Sequence, residues 1–250
     1  MSKKILILIA SFILRNIPNH YYRKKFAKLT GRYFDGVISK TAYGFPMIAK
    51  WNDNMNRIGF EGSYGLVQNF IENLPKDVMF IDIGANQGYT SILGSYCLGR
   101  ENIKGDILSF EPSLSSYNLM IKNLELNKCK NVKTFMRAVG NDEIVYLNET
   151  NPENSGAAHI ANVGSKVLSC PITYNDIKNF ISHKNIYIKI DTEGYELTVL
   201  KNIVELFERH LVRKVVIEID YRHLNRYYSQ VSDIYDFFNK FNFSPTYGIN

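Results

Sequence analysis

Acidic residues are missing from the start of this chain. Asp35 is the first, and eight cations precede it: Lys3, Lys4, Arg15, Arg23, Lys24, Lys25, Lys28 and Arg32. Subtracting those eight from the formal +6 leaves the remainder near −2, so the basicity belongs to an N-terminal arm. A nucleic-acid reader would interleave its basic residues with aromatics around the pocket, and no nucleic-acid partner is expected. Cysteine is scarce as well. Cys97, Cys129 and Cys170 make an odd set without metal-ligand spacing, which argues against a disulfide framework and assigns no residue to a metal. Cys97 falls on a helix stripe and Cys170 in a short apolar run, so both read as buried thiols in a reducing, cytoplasmic compartment. Long apolar runs are absent too. Ile5 to Leu14 is ten residues with only Ser11 polar, a helix of roughly 15 Å, about half a bilayer core. Arg15 follows it, and no small-x-small cleavage site appears. Two readings stay open for the arm. It is a shallow anchor with Arg23, Lys24, Lys25 and Lys28 on anionic headgroups, or a helix packed on the domain or in a homo-oligomer interface.

No internal repeat, low-complexity tract or proline-rich linker divides the 250 residues, enough for one α/β unit with a sizeable core. The expected organisation is an arm over residues 1–35, a cover segment and helix over 36–75, and a catalytic domain over 76–250. Within the cover segment, Tyr43 to Gly65 is rich in aromatics and amides, suited to lie over a pocket and touch a polyol, or simply to pack on the sheet.

The most informative segment is Asp82-Ile-Gly-Ala-Asn-Gln-Gly88. An apolar run from Val78 ends there in an acid and a glycine turn, and Tyr89, Ile92, Leu93 and Tyr96 follow at helical spacing. A strand, a bare turn and a helix start expose backbone N–H groups to a small polar ligand. A dinucleotide fingerprint needs two further glycines, and Asn86 and Tyr89 stand in their places. Ile107 to Phe110 reads as a second strand, ending at Glu111-Pro112. Ser113 then caps a helix carrying Leu114, Tyr117, Ile121 and Leu124 on one face. A carboxylate at that strand end can accept hydrogen bonds from both hydroxyls of a ribose; an ordinary helix-start acid is the other reading. Ile186, Ile188 and Ile190 alternate with Tyr187 and Lys189 in a further strand ending in Asp191 and Glu193. Ligands of open α/β sheets sit beyond such carboxyl ends, where Asp82, Glu111 and Asp191 should converge.

The remaining pattern predicts strands at about 131–138 and 214–220 and a final antiparallel strand over Phe243 to Ile249. Helices are expected near 88–98, 113–126, 195–208 and 230–241, with short strands at Glu143–Leu147 and Lys166–Cys170. Thr173 and Asp176 form a capping box.

From about Phe60 to Asp220 the chain resembles the FkbM family of methyltransferases. The resemblance rests on FIDIGANQGYTS, SFEPS with the later NLELN, MRAVGN, Thr173 to Asp176, IKIDTEGYELTVLKN and VVIEID. KIDTEGYE is the most diagnostic piece. The chain departs from the family at Thr173-Tyr174-Asn175, where T-L-D is usual, and at Asn202, where glycine is favoured. The resemblance implies a Rossmann-like, doubly wound class I methyltransferase sheet with S-adenosyl-L-methionine as cofactor. It implies cofactor contacts at Asp82, Gly84, Ala85, Asn86, Gly88, Glu111, Pro112, Ala138 and Asp191. A hydroxyl acceptor, small-molecule or glycan, must shed a proton as it attacks. Asp191 or Glu193 is the expected base, if burial and like charge raise a pKa toward neutrality, with His159 as competitor. Methylation of an amine, an NAD-dependent oxidoreductase and a non-catalytic membrane module are the alternatives.

Overall fold

The structure, a computed structural model of the chain, describes every residue except 1–2, 18–19, 52, 54–55, 57–58, 61–64, 100–105, 142, 150–153, 180–184 and 247–250. Two helices, α1 (Lys3–Asn16) and α2 (His20–Phe34), lead to an antiparallel ribbon of β1 (Ile38–Lys40) and β2 (Pro46–Ile48). Next come α3 (Gly65–Glu72), β3 (Met79–Ile83), α4 (Tyr89–Leu98), β4 (Asp106–Phe110), α5 (Leu114–Leu126) and β5 (Val132–Phe135). The chain then builds β6 (Ala138–Val139), β7 (Glu143–Asn148), β8 (His159–Ala161) and β9 (Ser165–Cys170). It returns through α6 (Tyr174–Ile177), β10 (Ile186–Ile190), α7 (Glu196–Lys201), α8 (Val204–Glu208) and β11 (Val212–Ile217). Helices α9 (Tyr221–Leu224) and α10 (Val231–Lys240) close the described fold.

β3, β4, β5, β10 and β11 form a five-stranded, all-parallel sheet in the order β11-β10-β3-β4-β5. Both of its faces are covered, which parallel sheets require. Phe80 of β3 looks one way, into a cluster with Ile92, Ile107, Phe45 and Trp51. Ile81 and Ile83 look the other way, onto Ile188, Leu200 and Phe207. That period-two split is what a strand buried on both sides must show. A second sheet, in the order β6-β9-β7-β8, stands beside the carboxyl end of the first; β7 runs antiparallel to both β8 and β9.

The arm belongs to the first cluster. Ile7, Ala10 and Phe34 are buried with Trp51 and Phe60. The opposite face of α1 leaves Ile5, Ile9, Phe12 and Ile13 exposed.

Four local expectations need correction. The strand expected over 131–138 is two strands in different sheets, β5 and β6. The chain bends at Met136-Arg137, where the Arg137 guanidinium lies over the stacked Phe110 and Phe135 rings. The helix expected over 195–208 breaks into α7 and α8 at Asn202, whose side chain donates to Thr198 O and to Asn141 Oδ1 while its carbonyl accepts from Ile172 N–H. The final antiparallel strand is not formed over Phe243–Thr246. There Phe243 turns in to pack on Phe207 and Phe238, and Pro245 offers no ladder donor; residues 247–250 lie outside the described residues. Cys97 and Cys170 are half-buried rather than buried. The capping box at Thr173 and the Ser113 cap form as the sequence implied.

Candidate active site

Register brings the strand ends together. Ile83 pairs with Phe110 on one side and with Ile190 on the other, and Ile190 pairs with Ile217. The residues that follow, Gly84, Glu111, Asp191 and Glu218, therefore line up along the carboxyl edge of the sheet. Strand order reverses direction between β3 and β10, and the crevice at such a switch point is where ligands of this topology sit. An open cleft occupies that place.

Gly84, Ala85, Asn86, Glu111, Pro112, Ala138, His159, Asp191 and Glu193 all line this cleft. Asp82 and Gly88 do not. Asp82 is fully buried beneath the turn. Its Oδ2 accepts from Thr90 and Ser91 hydroxyls at 2.6 Å each, and its Oδ1 lies 3.4 Å from Lys189 Nζ. It anchors the turn to α4 and β10 from below. Gly88 is the N-cap of α4 and abuts Met120. His159 opens β8 rather than sitting in a loop, and its Nδ1 donates to Ala157 O at 3.0 Å.

The turn is built to be bare. Gly84 has φ +77°, and a Cβ placed there would lie 1.9 Å from Asp191 O. Only glycine permits so close an approach. Lys189, 2% exposed, ties the same point together: Nζ donates to Gly84 O at 2.6 Å and is 3.4 Å from Asp191 Oδ2. Beside the turn, Glu111 is 6% exposed. Its two oxygens accept from Asn86 N–H and Ser113 N–H, each at 2.8 Å. Burial nevertheless pushes its pKa up to about 7, against the pull of those N–H groups and of Lys189.

Across the cleft, the loop after β10 is strained. Glu193 has φ +57°, an uncommon setting for a residue with a Cβ. Glu196, 1% exposed, pins the loop through one oxygen, Oε1. That oxygen accepts from Thr192 N–H and Thr192 Oγ1 at 3.1 Å and from Gly194 N–H at 2.9 Å. Burial, then the charges of Asp191, Glu218 and Glu196, push Glu193 up to about 8. Asp191 first, and then burial, likewise raises Glu218.

A third set of contacts joins the cover segment to the turn. Gln87 Nε2 donates to the buried Asp53 at 2.8 Å and to Ser155 Oγ at 3.1 Å, while Gln87 Oε1 accepts from Asn56 at 2.6 Å. Ser155 in turn donates to Asn86 Oδ1 at 3.0 Å. Sequence reasoning named the amide-rich segment and Gln87 but not this pairing, because the partners lie 31 to 68 residues apart. Thr192, Tyr195 and Ser155 also line the cleft without having been singled out as contacts, and Glu218, an acid that the sequence places at the end of the strand expected over 214–220, joins them.

These residues fit a methyl donor of the sulfonium type. Among the described residues the lining carries the carboxyls of Glu111, Asp191, Glu193 and Glu218 and, besides His159, one cation, Lys189, already engaged with Asp82 and Asp191. That balance favours a positive ligand and disfavours a pyrophosphate. Fold and cleft together define a class I methyltransferase, an α/β Rossmann-like protein whose donor is S-adenosyl-L-methionine. The family model described as the methyltransferase FkbM domain matches residues 82–245, and the chain belongs to that family. It is 31% identical over 182 residues to methyltransferase sdnD of Sordaria araneosa, spanning 59% of this chain and 68% of the relative. Among solved structures it is similar to methyltransferase FkbM of Methylobacillus flagellatus KT, with 16% identity, a TM-score of 0.42 and coverage of 77% and 46% of the two chains. It is also similar to precorrin-6y C5,15-methyltransferase of Geobacter metallireducens GS-15, with 13% identity, a TM-score of 0.43 and coverage of 74% and 73%.

Proposed function

We propose that the chain is an O-methyltransferase acting on a sugar hydroxyl of a cell-surface glycan or its lipid-linked precursor. The observation that carries this reading is the carboxylate group at the cleft, with Glu193 held near pKa 8 beside Asp191 and Glu218. A hydroxyl acceptor needs a proton acceptor poised near neutrality. An amine acceptor would instead be kept as an unreactive ammonium by the same negative charges. When bound, S-adenosyl-L-methionine supplies an already activated methyl group. The Gly84-Ala85-Asn86 turn, Pro112, Ala138 and Asp191 would hold it, with Glu111 accepting from its ribose hydroxyls. The protein's own work is then alignment and proton removal. Glu193 takes the hydroxyl proton, Asp191 holds Lys189 and the turn in place, and His159 stands on the acceptor side. Among the described residues the cover segment supplies no lining to the cleft: Phe45, Trp51 and Asn56 are buried, so it packs on the sheet and supports the turn rather than touching the acceptor.

The arm supports an anionic membrane surface as partner, reached from the cytoplasm. Ile5, Ile9, Phe12 and Ile13 are exposed along one face of α1, and Lys25 and Lys28 are exposed on α2. Among the described residues no helix is long and apolar enough to cross a membrane. Pairing two copies through this arm would bring like charges together, which disfavours an arm-to-arm dimer.

The test is incubation with methyl-labelled S-adenosylmethionine and extracted glycolipids, followed by mass spectrometry. A methyl on a sugar oxygen is the expected product; a methyl on nitrogen would replace this reading with N-methylation.

A further inference from the structure

His223, in the short helix α9, lies behind Glu193 of the cleft lining, where no sequence pattern drew attention to it. Its Nδ1 lies 2.7 Å from Glu193 Oε2, and its Nε2 is 4.0 Å from Asp220 Oδ2. The contact is built into the backbone. A Cβ on Gly194 would lie 2.4 Å from His223 O, so the loop after β10 presses directly on α9. Tyr227, one turn on, donates its hydroxyl to Ile160 O at 2.6 Å and packs edge-on against Tyr195. The imidazole is thus held against the loop bearing Glu193, while Tyr227 ties the turn after α9 to the small sheet.

We infer that His223 acts through Glu193 as the final proton acceptor of methyl transfer. As the acceptor hydroxyl gives its proton to one Glu193 oxygen, the other oxygen passes a proton to His223 Nδ1. This rests on the reading of Glu193 as the base for a hydroxyl. The acceptor oxygen forms its bond to the methyl carbon, the carbon–sulfur bond breaks with its electron pair left on sulfur, and the proton reaches solvent from His223.

The surroundings explain why Glu193 needs such a partner. Asp191, Glu218, Glu196 and Arg226 face Glu193, and burial followed by the three carboxylates raises it to about 8. Arg226, Asp220, Arg222 and His159 face His223, and burial followed by Arg226 lowers it from the ordinary 6.5. Near pH 7 the carboxyl therefore keeps its proton, and its O–H donates to a neutral imidazole. A protonated carboxyl alone is a poor base. With a neutral imidazole behind it, the pair can still take one proton.

The experiment uses the full chain with histidine labelled by nitrogen-15. Long-range nitrogen–proton spectra at pH 7 should show His223 neutral, with its proton on Nε2; an imidazolium there overturns the relay. His223→Asn retains an acceptor near the Nδ1 position but cannot bind a proton. Calorimetry with S-adenosylhomocysteine should give an affinity within about twofold of wild type, since the hydrogen-bonded loop is kept. With methyl-labelled donor and extracted glycolipids, its turnover at pH 7 should fall about tenfold, the ionised fraction of a group titrating near 8, and recover by about pH 9. A pH profile unchanged from wild type overturns the relay. If Glu193→Gln also turns over normally, the base reading falls with it; if only Glu193→Gln is inactive, the relay alone falls. If wild type labels no glycolipid, the acceptor reading fails and the tautomer spectrum still decides the pair.

Discussion

At the scale of single residues, the site divides into groups that touch the cleft and groups that hold those in place. Glu111 does both, since its carboxylate faces the cleft while accepting from Asn86 and Ser113 N–H groups. Glu111→Ala should weaken S-adenosylhomocysteine binding by tenfold or more, the worth of about 1.5–3 kcal/mol for hydrogen bonds to a charged group. Titration calorimetry reads this directly, and an unchanged affinity would remove Glu111 from the cofactor site. Asp191→Asn should weaken that affinity severalfold and lower turnover with it, because an amide still fills the space but no longer balances Lys189 beneath the turn. Gly84→Ala meets the Asp191 carbonyl at 1.9 Å with φ +77°. We expect it to cost about 3 kcal/mol or more of stability and to abolish cofactor binding, read as a lowered unfolding midpoint. Of these three residues the sequence marked all, because strand ends carrying an acid or glycine are visible as punctuation. Asp82 shows the limit of that signal. An acid at a strand end can equally face inward, and its two hydroxyl partners in the first turn of α4 decide which it does.

At the scale of elements, the segment bearing Asp53 and Asn56 is latched to the 84–88 turn through Gln87 and Ser155. Trp51, the only tryptophan, is fully buried in this segment and donates its indole N–H to Thr30 at 2.8 Å. Gln87→Ala leaves Asp53 and Asn56 without those partners inside the protein. Emission from Trp51 should shift to the red, and amides of residues 46–51 should exchange faster, on a hydrogen-exchange time course. Identical exchange in the variant would mean the segment is held by its apolar contacts alone. The sequence placed most elements, since apolar periodicity is local. It missed the split of the 131–138 strand and the break at Asn202, both caused by contacts distant along the chain. Arg137 bends over Phe110 and Phe135, and Asn202 is recruited by Asn141 and Ile172. His223 escaped notice for the same reason: its meaning comes only from Glu193, thirty residues before it.

At the scale of the whole molecule, one cluster of carboxylates is gathered at the end of the sheet before any positive ligand arrives. Family resemblance made the site legible, but the energetic consequence needs the three-dimensional packing, because desolvation cannot be read from sequence. Glu111 is raised to about 7 and Glu193 to about 8 from an ordinary 4.5, and Glu196 and Glu218 are raised as well. A raised carboxyl binds its proton in the folded state where the unfolded chain has released it. Its stabilisation is therefore full below about pH 4.5 and lost as pH rises through the folded value, by at most about 1.4 kcal/mol per unit for one group. Asp176, which accepts from Thr173, and Asp220, which pairs with Arg222, are lowered and work oppositely, but only in the acid range. His223, lowered from 6.5, opposes the trend only below that value. The unfolding midpoint without cofactor should thus peak near pH 5 and decline to about pH 8, where it levels. Glu111→Gln combined with Glu193→Gln should flatten the decline, and thermal melts across that range check it. A midpoint that instead rises from pH 5 to pH 8 would mean that these carboxyls are ionised in the free protein, Glu111 held by Lys189 and Glu193 by a protonated His223.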